Sequence, residues 1–313
     1  GAVVINSGGT LTGGGFKLTL NDNAGTTFIF SNVGTISGNL DIDITGGSVD
    51  RPINEAGTGN IRNLLINNAQ TYNLHYHLTL DGDLTITTGT LTTVNSGGTN
   101  NNLTVKGNTL IDGTLTGNNS TFTFGTSGVH GSTEIGCLGV NSSGAFTFGS
   151  GDVTIFGGFT AKGTDTVTST GGGDILIKGR SSNGFMNSHS HQGTSITGDY
   201  IIDYDANSLF DNRGGTRIIC GTFIIRHGGR TYQTWNNSGA ALFRIVGNMD
   251  IQNGTFNTLV SGQSSQNLTV TGDVDISAIL TCNASAVSFG SLKCQASSTL
   301  NATSGTTTIT SEN

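Results

Sequence analysis

The chain has 313 residues, including 50 glycines and a single proline, and charged residues make up 11% of it. Its 20 acidic and 13 basic residues give a formal net charge of −7, so the basic surface of a nucleic-acid-binding protein is not expected. Lys and Glu, which favour helices, are scarce, and glycine has no strict three-residue period, which excludes helical and collagen-like proteins. No run of 18 apolar residues occurs, so no membrane span is predicted.

Short alternating apolar runs predict β-strands along the whole chain. Residues 40–44 read LDIDI, residues 122–124 read FTF and residues 153–155 read VTI. Because successive side chains of a strand point to opposite faces, such runs are typical of strands with one buried face. Gly, Asn or Asp soon follows each run, and these residues favour the backbone conformations of tight corners.

A repeat of about 25 residues organises the predicted strands, and a period of this length indicates a solenoid. It is visible in residues 77–91 (HLTLDGDLTITTGTL), 102–116 (NLTVKGNTLIDGTLT), 242–256 (LFRIVGNMDIQNGTF) and 267–277 (NLTVTGDVDIS). Gly82 and Gly107 are one repeat apart, and so are Gly247 and Gly272. Six glycines mark the repeat along the chain: Gly82, Gly107, Gly157, Gly221, Gly247 and Gly272.

The predicted fold is an all-β, right-handed parallel β-helix with about 25 residues per coil and no significant helix. Its hand follows from the general preference of parallel β connections. Residues 1–313 are expected to form a single β-solenoid, and the absence of an initiator Met indicates a fragment or a processed form. The repeat predicts that Leu78 stacks on Leu103 and that Phe243 stacks on Leu268.

Residues 77–91, 102–116 and 267–277 resemble the β-helical repeats of tailed-phage virion proteins of the tail-fibre and tailspike type. Bacterial β-helical surface adhesins are the nearest alternative. The resemblance implies a homotrimer on a virion, outside the cell or on the cell surface, with a non-enzymatic structural or adhesive role. It also implies contact with other virion or cell-surface proteins and recognition of host-surface glycan, and it carries no catalytic residue.

Residues 179–239 differ from the rest in composition and are predicted to be irregular coils with longer loops. They contain five of the eight Arg and three of the five Tyr, and the regular step of the repeat is interrupted there. Aromatic rings with a polar edge suit a sugar or a protein partner, and Arg pairs with carboxylates. Support of a bulge or of a subunit contact is the alternative. The predicted contact residues are Trp235, Tyr232, Arg230, Arg226, Tyr200 and Tyr204.

Pairs of aspartates two residues apart raise the alternative of a polysaccharide-degrading enzyme of the tailspike type. Glycoside hydrolysis uses two carboxyl groups, and residues two apart on a strand share a face. Most of these pairs adjoin a glycine corner, where Asp serves turns. Asp203 and Asp205, close to Tyr200 and Tyr204, are the first pair to inspect. The pairs are Asp41/Asp43, Asp81/Asp83, Asp203/Asp205 and Asp273/Asp275.

No metal site and no cofactor are expected. Residues 75–77 and 189–191 are His-x-His patterns, which can direct two imidazoles to one side of a strand, but neither has a third ligand nearby. The four cysteines have no metal-binding spacing and are expected to be buried inside coils. Thr-x-Thr runs resemble the faces of ice-binding β-helices. The matched positions read Thr85, Thr109, Asp250 and Asp275, so a continuous threonine array is not expected.

Overall fold

The computed structural model describes residues 2–22, 28–47, 51–126, 138–141, 143–161, 165–178, 194–204, 208–211, 216–226, 228–235, 242–259 and 265–310, with the backbone alone at residues 22, 208–211 and 235. The secondary structure of these residues is β-strand, and none of them forms a helix. In chain order the strands are β1 Val3–Ile5, β2 Thr10–Thr12, β3 Lys17–Asp22, β4 Phe30–Asn32, β5 Thr35–Ser37, β6 Asp41–Gly47, β7 Arg51–Glu55, β8 Asn63–Leu74, β9 Leu78–Leu80, β10 Leu84–Thr92, β11 Leu103–Val105, β12 Thr109–Ile111, β13 Thr114–Thr116, β14 Phe122–Phe124, β15 Leu138–Val140, β16 Ala145–Phe148, β17 Val153–Phe156, β18 Phe159–Ala161, β19 Thr166–Ser169, β20 Ile175–Lys178, β21 Thr194–Ser195, β22 Tyr200–Asp203, β23 Ser208–Asp211, β24 Thr216–Ile225, β25 Thr231–Trp235, β26 Leu242–Ile251, β27 Thr255–Asn257, β28 Asn267–Ile276, β29 Ile279–Asn283, β30 Val287–Cys294, β31 Thr299–Ala302 and β32 Thr307–Ile309.

In the described residues the chain visits three faces in a constant order, and the strands of a face pair in parallel with those of adjacent turns. Face 1 contains β1, β4, β7, the C-terminal parts of β8 and β10, β13, β16, β19, β21, the N-terminal parts of β24, β26, β28 and β30, and β32. Face 2 contains β2, β5, β9, β11, β14, β17, β20, β22 and the C-terminal parts of β24, β26, β28 and β30. Face 3 is described in two stretches, one with β3, β6, the N-terminal parts of β8 and β10, β12, β15 and β18, and one with β23, β25, β27, β29 and β31.

This architecture is a parallel β-solenoid with roughly 24 residues per turn, which confirms the predicted fold class. Both predicted stacks are present, because Leu78 is the in-register partner of Leu103 and Phe243 is that of Leu268. The hand of the coil stays a prediction. Within the described ranges, no helix has the length and hydrophobicity that a membrane span would need.

Turn length varies, and several ladders absorb the difference in a register shift, as between Val270 and Asp273. The stretch of chain that separates in-register partners is short between Asp273 and Ser291, and it is much longer between Phe122 and Val153. Neither pair interrupts the parallel pairing of its strands. Strand pairing, rather than a fixed number of residues, therefore decides which side chains stack on one another.

The inward side chains of the three faces form one continuous apolar core. Neighbouring ring centroids are 5.0–6.0 Å apart in one aromatic group and 5.6–6.3 Å apart in a second. Full burial of one large apolar side chain stabilises the fold by roughly 1.5–3 kcal/mol. The first group is Phe122, Phe124, Phe146 and Phe148, and the second is Tyr200, Phe223, Phe243 and Phe256.

Side chains of Asp and Asn connect the turns at the corners. Asp174 Oδ1, for example, accepts a hydrogen bond of 2.8 Å from the backbone N–H of Asp199 one turn later. Such a bond satisfies a backbone donor that the change of direction takes out of the ladder. The side chains that accept in this way include Asn63, Asp83, Asp152, Asp174, Asp199 and Asn248.

The same contact explains the glycine that precedes Asn or Asp in the repeat. A Cβ atom on Gly107 would overlap Asp83 Oδ1, and a Cβ atom on Gly272 would overlap Asn248 Oδ1. Glycine is therefore the residue that lets the oxygen of one turn lie against the backbone of the next.

The repeat glycines mark two different corners of the solenoid. Three of them lie between a strand of face 2 and a strand of face 3, and the other three lie between face 1 and face 2. The stretch from Gly157 to Gly221 is not a whole number of turns because these two glycines mark different corners. The first corner has Gly82, Gly107 and Gly157, and the second has Gly221, Gly247 and Gly272.

Candidate ligand-contact surface

The three tyrosines that the sequence analysis assigns to a contact surface lie in the core. Tyr200, Tyr204 and Tyr232 have no exposed surface. The hydroxyl of Tyr232 donates a hydrogen bond of 2.6 Å to the carbonyl oxygen of Tyr204, and burial raises the pKa of Tyr200 well above its usual range. These rings are therefore not available for the stacking on a sugar that was expected of them.

Tyr200 points inward because of its position after a corner. It follows Gly198 by two residues, as Phe223 follows Gly221, and it is in register with both Ile175 and Phe223. Its ring stacks on that of Phe223, with the centroids 5.6 Å apart. Regular pairing therefore continues through the described part of residues 179–239. The longer loops predicted there fall on residues 179–193, 205–207, 212–215, 227 and 236–239, which lie outside the described residues.

The other three predicted contact residues occupy different positions. Arg226 is exposed, and its Nη2 lies 3.5 Å from Oδ2 of Asp203, the aspartate that the sequence analysis singled out. Arg230 is half-buried, and its carbonyl oxygen accepts the N–H of Thr255 at 2.8 Å. Trp235 ends β25, and its side chain lies outside the described residues. The six predicted residues thus do not form one surface, since three lie in the core.

Five basic side chains elsewhere on the described surface pair with aspartates about one turn away, whereas no ion pair joins Lys178 or Arg230 to a described residue. The guanidinium of Arg62, for example, holds the pKa of the Asp41 carboxyl below its usual range. Exposed pairs of this kind contribute about 0–1 kcal/mol each, yet they neutralise charge locally. The pairs are Lys17–Asp43 at 2.7 Å, Lys106–Asp81 at 2.6 Å, Arg226–Asp203 and Lys293–Asp275 at 3.5 Å, and Arg62–Asp41.

Arg217 and Arg244 depart from this pattern, and we refer to them as the arginine pair. They are in-register partners on adjacent turns of face 1, and both are exposed. The neighbouring Ile218 and Ile245 point inward with no exposed surface, so both arginines project outward. No hydrogen bond or ion pair joins either guanidinium to another residue in the described part of the chain. The next residue of this outward column is Thr269.

The outward residues beside the arginine pair are apolar. Leu242 is 40% exposed two residues before Arg244, and Ile219 and Val246, which are half-buried, follow the two arginines. Adjacent strands are ~4.8 Å apart, so the two arginine side chains leave the backbone from neighbouring positions. Like charges directly opposite each other on neighbouring strands are unfavourable. This surface of face 1 is therefore positively charged with aliphatic contacts on both sides of the charge.

Acidic residues that stack in the same way are compensated. Asp250 and Asp275 are in-register partners on face 2. Asp250 accepts a hydrogen bond of 2.8 Å from Gln252 Nε2, and both carboxylate oxygens of Asp275 accept bonds of 2.8 Å from Gln295 Nε2. Lys293 adds a positive charge 3.5 Å from Asp275. The arginine pair has no comparable partners among the described residues.

The aspartate pairs considered for glycoside hydrolysis take part in structural contacts. Asp83 Oδ1 accepts the backbone N–H of Asn108 at 2.8 Å, and Asp273 Oδ1 accepts the hydroxyl of Ser291 at 2.6 Å. Asp205 lies outside the described residues. These contacts agree with the role in turns that their positions beside the corners indicate.

Glu55 is a carboxyl group with a raised pKa. It ends β7 on an inward position, and Oε1 accepts a hydrogen bond of 2.6 Å from Nδ2 of the buried Asn32. Its other oxygen has no hydrogen-bond partner, and burial raises the pKa of Glu55 to about 7. This side chain is the described carboxyl whose pKa resembles that of a general acid.

No group of three His, Cys, Asp or Glu that could hold a metal ion occurs among the described residues. His77 Nδ1 accepts the N–H of Asn102 at 2.8 Å, whereas the ring of His75 packs edge-on against Phe28 at 5.3 Å. The two imidazoles of this His-x-His pattern thus have separate contacts. The second pattern, residues 189–191, lies outside the described residues.

The described cysteines are free thiols in two environments. Cys220 and Cys282 are buried, as expected, and burial raises the pKa of their thiols to about 12 and about 11. Cys294 is exposed, which differs from the expectation: it is in register with the buried Ile276, but it ends the last described strand of face 2, so no further described strand covers it. Cys137 lies outside the described residues.

Face 1 also has two outward columns of mostly threonine, which we call the threonine columns. The hydroxyl oxygens of Thr147 and Thr168 are 3.1 Å apart across adjacent turns. The sequence analysis did not expect this array because it compared residues of different columns, and Thr109, for example, is buried. One column contains Thr71, Thr90, Thr114, Ala145 and Thr166, and the other contains Asn73, Thr92, Thr116, Thr147 and Thr168.

Comparison of the chain with protein-family models, curated proteins and solved structures gives no match.

The arginine pair is a feature that the predicted contact set omits. Its signal in the sequence is that Arg217 and Arg244 begin similar segments, RIICG and RIVG, that end at the repeat glycines Gly221 and Gly247. The one-residue difference in length hides their alignment until strand pairing is known.

Proposed function

We propose that the chain is a non-enzymatic structural or adhesive β-helical element of a virion, such as a tail fibre, a spike or a surface decoration. The observation that carries this proposal is the parallel pairing of face 1, which runs from β1 to β32 without a break. Each turn is hydrogen-bonded to the next and buries its apolar face against it, which suits a stiff stem.

The proposed assembly is a homotrimer on a virion or at the cell surface. The threonine columns support self-association, because their side chains are uncharged and are repeated at a constant strand spacing. Surfaces that repeat in this way can pack against copies of themselves around a closed symmetry axis. Other virion or cell-surface proteins are the proposed partners at the ends of the stem.

Glycan recognition is the proposed adhesive activity. Arg226 and Arg230 are accessible members of the predicted contact set. Guanidinium groups pair with carboxylates through two parallel hydrogen bonds, which suits acidic sugars. A bacterial surface adhesin has the same physical basis as a virion stem, and the two proposals differ in where the protein is found.

A polysaccharide-degrading enzyme is a second candidate, and Glu55 favours it, because one of its carboxyl oxygens is hydrogen-bonded to Asn32, the other has no hydrogen-bond partner, and burial raises its pKa to about 7. A general acid that stays protonated near neutral pH is one half of the machinery for glycoside hydrolysis. The test is release of reducing ends from anionic and neutral polysaccharides by the parent chain and by Glu55→Gln. Hydrolysis that Glu55→Gln abolishes would establish the enzyme, and no release by the parent would exclude it for those substrates.

Light scattering of the purified chain at micromolar concentration tests the assembly. The expected molar mass is three times the 32.1 kDa of one chain. Gold-labelled antibodies against the chain, applied to virus particles and to cells from the same source, test its location. A monomer together with labelling of cell envelopes alone would contradict the virion proposal and favour the adhesin.

A further inference from the structure

We infer that the arginine pair binds carboxylate groups of an acidic polysaccharide that lies along face 1, with Leu242 and the adjacent aliphatic side chains against its sugar rings. This inference deepens the adhesive role proposed above and rests on it in taking the ligand to be a surface glycan. The site differs from the predicted contact set, because neither Arg217 nor Arg244 belongs to that set.

The first step of the argument is the charge that the fold leaves unmatched. Lys17, Lys106 and Arg226 each pair with an aspartate about one turn away. The stacked Asp250 and Asp275 accept hydrogen bonds from glutamine amides, and Lys293 lies beside Asp275. Arg217 and Arg244 have no such partner in the described part of the chain. In a chain with a net charge of −7, two adjacent unmatched guanidiniums create a local positive potential that attracts an anion.

The second step is the direction in which the two charges repeat. In-register partners on adjacent turns place the arginines one above the other across the strands of face 1, ~4.8 Å apart at the backbone. A polymer with an anionic group on each repeating unit can present neighbouring charges to both of them. Each guanidinium can then form a bidentate pair with one carboxylate.

The third step concerns the groups next to the charges. Leu242, Ile219 and Val246 offer aliphatic contact beside the guanidiniums, which suits the C–H faces of sugar rings better than a bare inorganic ion. Nucleic acid is not favoured, because its recognition depends on an extended basic surface and this chain is acidic. A uronic-acid polymer combines the carboxylates and the apolar ring faces that the site would contact.

Isothermal titration calorimetry with the full chain tests the inference, with a short oligogalacturonate as the probe. Heparin-derived oligosaccharide and dextran serve as the sulfated and the neutral comparison. The double variant Arg217→Thr/Arg244→Thr replaces both arginines with threonine, a residue that is compatible with strands and that already occupies the next position of the column, at Thr269. The matched control Lys106→Thr/Lys293→Thr removes two positive charges from paired lysines.

The expected result is that the arginine variant binds oligogalacturonate about tenfold or more weakly, whereas the control changes by less than about twofold. Binding by the parent should weaken as salt is raised, and dextran should not bind. An equal loss in the control would overturn the inference, because net charge would then explain the binding. Tighter binding of the sulfated probe would overturn the assignment to carboxylates.

Light scattering of the same variants separates this inference from the proposed assembly. Glycan binding by a monomeric parent would leave the site standing and contradict the trimer. A trimeric parent that binds no oligogalacturonate would support the proposed assembly and contradict the inferred glycan site. If the arginine variant were a monomer while the parent was a trimer that bound no glycan, the arginine pair would belong to a subunit contact. The inference would then be wrong.

Discussion

Face 1 carries two different outward surfaces on one continuous ladder, the threonine columns and the arginine pair. The backbone pairing is parallel and in register at both, and the inward neighbours are buried at both, as Leu115 and Ile245 illustrate. Thr147 and Thr168 place one hydroxyl against another across adjacent turns, whereas Arg217 and Arg244 place one positive charge beside another. The difference therefore lies entirely in the side chains.

This comparison shows what a parallel solenoid requires of its surface. Each outward residue meets the corresponding residue of the next turn, so a side chain that tolerates its own copy is favoured. Threonine meets this requirement because its methyl and hydroxyl groups can contact those of another threonine. A stacked pair of arginines does not, which is why its presence points to a demand other than stability.

The largest effect is expected from removing a core ring, and it should be the same beneath both surfaces. Phe146 lies beneath the threonine columns and Phe243 lies next to Arg244, and both are fully buried. Phe146→Ala and Phe243→Ala should each lower the free energy of unfolding by about 3–5 kcal/mol. Urea denaturation measures this. A near-neutral result for one of them would mean that the two regions do not share one continuous core.

A pH titration should reveal how an inward-facing carboxyl group, Glu55, affects the free energy of unfolding. Neither outward surface contains such a buried group. Burial raises the pKa of Glu55 from 4.5 to about 7, so the folded protein holds an additional proton between those values. The free energy of unfolding should therefore fall as pH rises through this window, by about 3 kcal/mol in total. Glu55→Gln should remove that dependence and be more stable than the parent at pH 8. A parent with the same pH profile as this variant would contradict the assignment.

Corner glycines should be equally sensitive near both surfaces. Gly107→Ala and Gly272→Ala place a Cβ against an Asp or Asn oxygen of the preceding turn, which should cost about 1–3 kcal/mol. Gly14 is the matched control, because a Cβ there would meet no atom within 4 Å and its φ is negative. Thermal denaturation of the three variants measures the difference. Equal melting temperatures would rule out the corner contact as the reason for the repeat glycines.

Exchanging residues between the two surfaces should give the smallest effects. Arg244→Thr removes like-charge repulsion and should raise the free energy of unfolding by a few tenths of a kcal/mol. Thr116→Arg/Thr147→Arg creates a new stacked pair and should lower it by a similar amount. Both changes should disappear at high salt, because screening weakens the repulsion. Effects that persist at high salt would show that packing, rather than charge, distinguishes the surfaces.

Much of the fold can be predicted from the sequence, because the alternation of apolar residues and the recurring glycine segments are both visible in the chain itself. The stacks of Leu78 on Leu103 and of Phe243 on Leu268 follow from that repeat. Which outward residues stack in one column cannot be predicted from the sequence repeat in the same way, because the turns vary in length. Thr109, which is buried, and Thr116, which faces outward, are separated by the choice of strand pairing.

The candidate contact surface is harder to predict for a related reason. Tyr200 lies in the interval that contains three of the five Tyr, which favours a surface role, yet its position after Gly198 places it inward. The inward position of Tyr200 becomes recognisable when Gly198 and Tyr200 are aligned with Gly221 and Phe223 of the next turn. The proximity of Arg217 to Arg244 depends on the pairing of β24 with β26, which no local pattern specifies.

Because the same corner hydrogen bond recurs between consecutive turns, one turn can be removed or added without changing the connection between its neighbours. Asn63 Oδ1 accepts the N–H of Asp83, and Asp83 Oδ1 accepts that of Asn108, so consecutive turns present the same connection. Excision of residues 82–106 would bring the Gly107–Asn108 corner directly after Asp81, opposite Asn63. The solenoid would shorten by one strand spacing of ~4.8 Å, and its corner hydrogen bonds would be preserved. Length in such a protein is thus counted in whole turns, and duplication or loss of a single turn is a way to adjust its reach.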